Sequence, residues 1–202
     1  MILIYLKYNM FKYNPYYTRS YKNGRPTFYH LGKGDKRSEI RAAGVLFYTF
    51  KNNNLNILMI RKTNDKIYED FGGKTDMEDM TILNTISREV FEESNNIFKE
   101  KFVMKKLLNK NSIKIYNSKS KYLLSLIRLD FNINPVKFGD KEIHDNIKRT
   151  VKWIKYQKYE NLKLNNKINP RLNFSLLDEN LNMIIYLHNK RNLNNTMKKL
   201  KI

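Results

Sequence analysis

The chain has 202 residues, of which 41% are hydrophobic and 29% charged, a balance typical of a folded protein rather than a disordered one. It contains no cysteine, which excludes disulfides, thiol nucleophiles and cysteine-based zinc sites. Its 39 lysines and arginines outnumber 19 aspartates and glutamates, and the net charge of +20 favours polyanionic partners such as nucleic acid, nucleotides, inositol phosphates or an anionic membrane surface. An A/T-rich genome also enriches lysine, asparagine, isoleucine and tyrosine, so composition leaves open whether the charge serves binding.

The first 40 residues predict a basic, aromatic N-terminal arm with turn signals at 14–15, 23–24 and 32–34. The opening MILIYLK is too short for a signal sequence or a membrane span, and no later apolar run is long enough, so we expect a cytoplasmic protein. The arm could stack a base and contact phosphates, or its aromatic residues could belong to the core. The aromatic candidates are Tyr16, Tyr17, Tyr21, Phe28 and Tyr29, and the basic ones are Arg19, Lys22, Arg25, Lys33 and Arg37.

The remaining elements follow in a regular order. Two short β-branched and aromatic runs at 44–50 and 56–60 predict a hairpin, and an apolar stripe at four-residue spacing predicts a helix over 79–93. Further strands are predicted at 112–117, 121–131 and 150–156, with a polar connector at 132–148 and a helix over 175–189. This order predicts an α/β or α+β sandwich with a mixed sheet. We expect an arm at 1–40, one domain at 41–190 and a basic, fraying tail at 191–202.

The run FGGKTDMEDMTILNTISREVFEES at 71–94 concentrates acid in a basic chain. Glu89, Glu92 and Glu93 are spaced to share one helix face, where their carboxylates should converge and repel. A bound Mg²⁺ or Mn²⁺ would resolve the conflict, because these ions prefer hard oxygen ligands. Arg88 is placed to steady a carboxylate, and Asp79 to cap the helix. The alternative is a solvated acidic helix face, which the scarcity of acid in this chain disfavours.

Two glycines precede the helix. Gly72 and Gly73 would allow a backbone carbonyl to approach a metal, or a phosphate to approach the backbone, without interference from a Cβ atom.

Gly73, five residues, Asp79 and then REVFEE at 88–93 closely resemble the Nudix box of the Nudix hydrolases. The family pattern is Gly, five residues, Glu, seven residues, Arg-Glu-apolar-any-Glu-Glu-any-Gly-apolar. The resemblance implies an α/β/α sandwich that uses Mg²⁺ or Mn²⁺ to hydrolyse a nucleoside diphosphate linked to another group. By position, Glu89, Glu92 and Glu93 resemble the metal ligands, Arg88 the residue that orients them, and Gly72 a source of a carbonyl ligand.

This chain departs from the pattern at several positions. Eight residues rather than seven separate Asp79 from Arg88, and the first acid is Asp79, or Glu78 in a shifted register. Asn95 replaces the final glycine and tolerates the left-handed conformation nearly as well. Asn96 stands where an apolar residue is usual, so Ile97 is a candidate for that packing role.

A further carboxylate from a distant loop normally completes such a site as ligand or general base. The connector offers Asp140, Glu142 and Asp145, of which we favour Glu142 as the catalytic acid–base residue. Lys74, next to the glycines, joins Arg19, Lys22 and Arg25 as a candidate substrate-binding cation.

The lengthened box, the A/T-biased composition and the compact length of the chain resemble those of the mRNA-decapping Nudix enzymes of large cytoplasmic DNA viruses, and the basic charge favours a long or highly charged substrate. That resemblance implies cleavage of capped RNA, with release of methylated GDP, in the host cytoplasm. The alternatives are hydrolysis of diphosphoinositol polyphosphates or nucleoside diphosphate derivatives, and a basic RNA-binding module on a Nudix shell.

Overall fold

The computed structural model describes residues 20–22, 24–30, 36–64, 66–109, 112–130 and 132–199. Within these ranges the chain forms ten strands and four α-helices. The strands are β1 (Ser20–Lys22), β2 (Arg25–Tyr29), β3 (Glu39–Ile40), β4 (Ala42–Lys51), β5 (Asn54–Lys62), β6 (Tyr68–Glu69), β7 (Phe71–Lys74), β8 (Ile113–Asn117), β9 (Tyr122–Arg128) and β10 (Arg149–Lys155). The helices are α1 (Ile82–Glu93), α2 (Glu100–Leu107), α3 (Tyr156–Leu164) and α4 (Ser175–Lys199).

The centre of the fold is a mixed seven-stranded sheet. Its main order is β10-β5-β4-β9-β8, with β6 beside β5 and β7 beside β4. Strands β4 and β9 run parallel, and the remaining pairs in this sheet are antiparallel. Strands β1, β2 and β3 form a separate three-stranded antiparallel sheet. The predicted mixed sheet of an α+β protein is confirmed.

Helices cover both faces of the central sheet because its strands alternate apolar side chains between two cores. On β4, Val45 and Phe47 pack in a cluster that contains buried residues of α1 and α2. Leu46, between them, packs in a second cluster with residues of α3 and α4. Each fully buried side chain of this kind stabilises the fold by about 1.5–3 kcal/mol. The predicted α/β/α sandwich is therefore the observed one.

The predicted hairpin forms. Strands β4 and β5 pair in antiparallel register across a two-residue turn, in which Asn52 and Asn53 have φ angles of 50° and 62°. Asparagine tolerates this left-handed conformation better than most residues, which suits it to a tight hairpin turn. Strands β8 and β9 form the second hairpin, and β10 pairs with β5.

Some predictions about the elements were wrong. Helix α4 continues to Lys199 instead of ending at 189, because residues 190–199 contain neither glycine nor proline to stop it. Strands β6 and β7 and helices α2 and α3 were not predicted, since each is too short to show a clear period.

The aromatic residues of β2 belong to the core. Phe28 is 1% exposed and Tyr29 is 6% exposed, so neither is available to stack a base. Tyr16, Tyr17 and the rest of 1–19 lie outside the described residues, and the three-part division of the chain stays a prediction. No helix in the described part is both long and apolar enough to cross a membrane.

Candidate active site

The run that resembles the Nudix box forms a strand, a loop and a helix that folds back on the strand. Gly72 and Gly73 lie in β7, and the backbone N–H of Gly72 donates a 2.6 Å hydrogen bond to Glu93 Oε2 at the other end of the motif. A Cβ atom on Gly73 would lie 2.6 Å from Glu89 Oε1. Only glycine at Gly73 leaves the Glu89 carboxylate room in its present position.

Thr81, not Asp79, caps helix α1. The Thr81 hydroxyl accepts from the backbone N–H of Asn84 at 3.2 Å, and the Asn84 side chain accepts from the backbone N–H of Thr81 at 3.0 Å. This reciprocal capping box satisfies two N–H groups at the start of the helix. The prediction that Asp79 caps the helix was wrong because the lengthened loop places Thr81 directly before the first turn.

Asp79 organises the loop instead. It is 2% exposed, and its Oδ2 accepts from the backbone N–H of Asp76 at 2.7 Å and from the Thr85 hydroxyl at 2.8 Å. The same carboxylate accepts hydrogen bonds from Arg88 Nε at 3.2 Å and from Arg88 Nη2 at 3.1 Å. Glu78 is exposed. Of the two acids that the sequence left open, Asp79 is the one that meets Arg88.

Arg88 joins the loop to the acidic end of the helix. Besides Asp79, its Nη1 lies 3.0 Å from Glu89 Oε1 and 3.2 Å from Glu92 Oε2. Its Nη2 also donates to the carbonyl oxygen of Lys74 at 3.0 Å, at the end of β7. One planar guanidinium thus fixes the strand, the loop and two carboxylates relative to one another.

The three glutamates of α1 have different partners. Glu93 is buried and bound to Gly72, whereas Glu89 and Glu92 share Arg88. Burial, opposed by Arg88 and reinforced by Glu92, raises the pKa of Glu89 to about 7. Burial also raises the pKa of Glu93 well above its usual range, although Arg171 opposes this.

The predicted convergence of the three carboxylates is not observed. Among the described residues, no three acidic or imidazole side chains come close enough together to hold a metal ion. The physical reason is that like charges separate wherever a guanidinium or a backbone N–H is within reach.

The chemistry of these groups nevertheless suits Mg²⁺ or Mn²⁺. Glu89, Glu92 and Glu93 supply hard carboxylate oxygens from adjacent turns of one helix, opposite two glycines that add no side chain. The Gly72 carbonyl already accepts from Arg171 Nη2 at 3.1 Å, but a carbonyl oxygen has a second lone pair to offer. Its assignment as a ligand stays a prediction.

Of the three candidate acids in the connector, the structure buries one. Glu142 is 6% exposed, whereas Asp140 and Asp145 are exposed. Glu142 Oε2 lies 3.8 Å from Nη1 of Arg149, a fully buried arginine whose side-chain nitrogens have no hydrogen-bond partner in the described part of the chain. Burial raises the pKa of Glu142, and Arg149 opposes the rise.

A buried polar network lies beneath the glycines, and sequence reasoning missed it. Arg171 Nε donates to Asp70 Oδ1 at 2.8 Å, and the Tyr122 hydroxyl donates to Asp70 Oδ2 at 2.6 Å. The Arg171 guanidinium also lies 4.9 Å from the centre of the Tyr122 ring. Asp70 directly precedes the FGG run and could have been noticed there. Nothing in the sequence near Arg171, 99 residues beyond Gly72, pointed to the site.

The predicted substrate-binding cations differ in how far the structure describes them. Arg19 and the side chain of Lys22 lie outside the described residues. Arg25 is exposed at the start of β2, and the carbonyl of its neighbour Pro26 accepts from the Thr75 hydroxyl at 2.7 Å. Lys74, which precedes Thr75, is also exposed. The start of β2 and the end of β7 are therefore in contact, with Arg25 and Lys74 each next to that contact.

A cleft of about 480 Å³ opens between the end of β5 and the start of β10. It is lined by Lys62, Asn64, Asn146, Ile147 and Lys148. Lys62 Nζ also lies 3.0 Å from Glu69 Oε1. The cleft adjoins the Glu142 loop, because the Glu142 backbone N–H donates to the carbonyl oxygen of Ile147 at 2.9 Å. Its volume is in the range of small-ligand sites.

Comparison with known protein families finds no match, and comparison with curated proteins finds none either. Among solved structures, a Caenorhabditis elegans Ap4A hydrolase in a binary complex is 16% identical, with a TM-score of 0.46 over 71% of this chain and 98% of that one. A bifunctional NMN adenylyltransferase/ADP ribose pyrophosphatase from Francisella tularensis is 24% identical, with a TM-score of 0.40 over 60% of this chain and 35% of that one.

The NUDIX domain of Shewanella oneidensis NrtR, in complex with ADP ribose, is 11% identical. Its TM-score is 0.38 over 60% of this chain and 76% of that one. All three similarities lie below 25% identity and below a TM-score of 0.5.

Proposed function

We propose that this protein is a Nudix pyrophosphohydrolase that depends on Mg²⁺ or Mn²⁺ and cleaves a diphosphate linkage. The observation that carries the proposal is the closed strand–loop–helix unit, in which Gly72 binds Glu93, Gly73 makes room for Glu89, and Arg88 ties Asp79 to Glu89 and Glu92. A solvated acidic helix face would need none of these contacts.

Glu89, Glu92 and Glu93 would hold the cation, and the Gly72 carbonyl would be a further ligand. When bound, the ion would polarise phosphorus and activate water. Arg88 keeps the helix carboxylates in place from the side of the loop, and the Gly72 N–H keeps Glu93 turned toward β7. Glu142, on the separate loop, is the candidate to accept a proton from the attacking water, and Arg149 restrains its carboxylate.

The proposed substrate is capped RNA, cleaved to release methylated GDP. The net charge of +20 supports a long polyanion, and the exposed Lys74 and Arg25, next to the hydrogen bond between Thr75 and Pro26, support phosphate binding beside the glycines. The cleft lined by Lys62 and Lys148 has room for part of a nucleotide. Capped RNA as substrate also implies a cytoplasmic site of action, in the host cell if the protein is viral. Diphosphoinositol polyphosphates and nucleoside diphosphate derivatives share the required chemistry.

Purified protein with Mg²⁺ or Mn²⁺ should be tested side by side on cap-labelled RNA, a diphosphoinositol polyphosphate and a nucleoside diphosphate derivative. The double substitution E92Q/E93Q should lower turnover by roughly 100-fold or more on whichever substrate is cleaved. A matched control, E100Q/E179Q, removes the same charge from exposed acids outside the site and should retain activity. Equal activity in the two double variants would refute the proposed site.

A second candidate function is an RNA-binding module without turnover. Glu89 and Glu92 each form an ion pair with Arg88, and the three glutamates do not converge on a common point. This arrangement favours the second candidate. This candidate predicts tight, salt-sensitive RNA binding, unchanged by E92Q/E93Q, and no product from any of the three substrates with either metal.

A further inference from the structure

The side chain of Asn95 connects the end of α1 to the loop that carries Glu142. Asn95 Nδ2 donates to the carbonyl oxygens of Phe138 and Lys141, each at 2.7 Å. Asn95 Oδ1 accepts from the backbone N–H of Ile143 at 3.0 Å. All three bonds reach a segment more than forty residues away along the chain. Phe138 and Lys141 precede Glu142, and Ile143 follows it.

The backbone at this position does not require asparagine. Asn95 has a φ angle of 52° and Asn96 one of 65°, so two consecutive residues at the end of α1 are left-handed. Glycine adopts that conformation at no steric cost, and the Nudix pattern that this segment resembles has glycine at the position of Asn95. Asn96, with the same backbone requirement, has a buried Oδ1 without a hydrogen-bond partner among the described residues. The amide at Asn95 therefore has a use beyond helix termination.

The three bonds also fix the amide in one orientation. Both hydrogens on Nδ2 point to carbonyl oxygens and Oδ1 points to an N–H, so aspartate could satisfy only the Ile143 contact and would repel the two carbonyls. The loop is closed on its other side by bonds from Glu142 to Ile147 and from Arg149 N–H to the Asp140 carbonyl, at 2.9 Å and 2.7 Å. The Glu142 backbone is held from both sides.

We propose that Asn95 is a positioning residue that sets the distance between Glu142 and the carboxylates of α1. The inference rests on the proposed hydrolase function and deepens it. Asn95 lies two residues after Glu93 in the chain, so a rigid amide link makes the helix that carries three of the acids and the loop that carries the fourth into one unit. Restoring the glycine of the family pattern would break that link and should impair the enzyme.

The test compares N95G with N96G. Both substitutions suit the left-handed backbone, so both proteins should fold, but only N95G removes the three bonds. We expect N95G to lower kcat by roughly ten- to one-hundred-fold with little change in KM, because a misplacement near 1 Å costs about that much. N96G should retain the kcat of the unmodified protein. A kcat for N95G equal to that of N96G would overturn the proposal.

A double-substitution cycle shows whether Asn95 acts through Glu142. In an E142Q background, N95G should cause no further loss of kcat, whereas a general loosening of the fold would reduce kcat again. Additive losses would therefore overturn the positioning role.

Hydrogen exchange separates failure of this inference from failure of the proposed function. The backbone amide hydrogen of Ile143 should exchange with solvent at least about tenfold faster in N95G than in N96G. This result does not depend on which substrate the protein cleaves. Faster exchange in N95G, together with no hydrolase activity in the unmodified protein, would refute the proposed function but not the contact between Asn95 and the Glu142 loop. Unchanged exchange would refute the link itself.

Discussion

Replacing Gly73 by alanine is expected to separate the chemistry of the site from the stability of the fold. The new Cβ would lie 2.6 Å from Glu89 Oε1, and two further atoms of that carboxylate would be closer still. Ordinary contacts between heavy atoms begin near 3.5 Å, so the carboxylate must retreat by about 1 Å. The end of a glutamate side chain moves cheaply, and the φ angle of Gly73 is not in the left-handed region.

The size of each expected effect depends on which atoms the new methyl group displaces. Displacement of a flexible side chain should change the free energy of unfolding of G73A by less than about 1 kcal/mol. If Glu89 binds the metal as proposed, a 1 Å displacement of its carboxylate should lower turnover about 100-fold, and the affinity for Mn²⁺ should fall at least about tenfold. We expect G73A to be a stable, well-folded protein with a damaged site.

G72A is the matched comparison. Its Cβ would lie 2.5 Å from the carbonyl oxygen of Ala43 and would overlap the Cα of Gly44, which is paired with Gly72 across β4 and β7. Backbone atoms of a central strand cannot move away, so the free energy of unfolding of G72A should be lower by about 3 kcal/mol or more. For a chain of this size, that corresponds to a fall in Tm of about 6–12 °C.

Circular dichroism melts and calorimetric Mn²⁺ titrations on G73A, G72A and the unmodified protein check both expectations. The reasoning is refuted if G73A melts as early as G72A. It is also refuted if G73A binds Mn²⁺ as tightly as the unmodified protein, because Glu89 would then not contribute to the site.

Three further expectations concern the same unit. R88A should lower the free energy of unfolding by about 2–3 kcal/mol in urea titrations, because it removes the guanidinium that pairs with the buried Asp79 carboxylate, and R88K should restore only part of this. Since burial raises the pKa of Glu89 to about 7 and a metal binds the deprotonated form, Mn²⁺ affinity should fall at least about tenfold per pH unit below pH 7; a flat profile from pH 5.5 to 7 would contradict this. Y122F should cost about 1–3 kcal/mol in thermal melts by removing a buried donor to Asp70, whereas a neutral result would mean that this hydroxyl is dispensable.

The helix that carries Arg88 and the three glutamates was predictable because its signals are local. The glycines, the arginine and the glutamates all lie within 24 consecutive residues, and helical spacing decides which side chains share a face. The β4–β5 hairpin was predictable for the same reason, since strand-forming runs and turn residues act over a few positions. The spacing did not reveal the direction in which each carboxylate turns, because that depends on the positions of Arg88 and the Gly72 N–H in space.

The parts that escaped prediction depend on contacts between distant segments. The sequence indicates only that Asn95 tolerates a left-handed backbone, which the structure shows, yet its amide reaches a loop more than forty residues away. No spacing rule distinguishes Glu142 from Asp140 and Asp145 in the sequence, and in the structure its burial and its ion pair with Arg149 separate it from them. A sequence pattern has no means of reporting such contacts, because the fold brings the partners together.

Arg171 shows how far the candidate site extends along the chain. It lies in a short turn before α4, on the far side of the sheet from α1, and yet it binds both Asp70 and the carbonyl of Gly72. Burial opposes its charge, but Asp70, Tyr122 and nearby glutamates outweigh that effect and raise its pKa, so it remains charged. Its positive charge in turn favours the ionised form of Glu93. The C-terminal segment is therefore part of the electrostatics of the site.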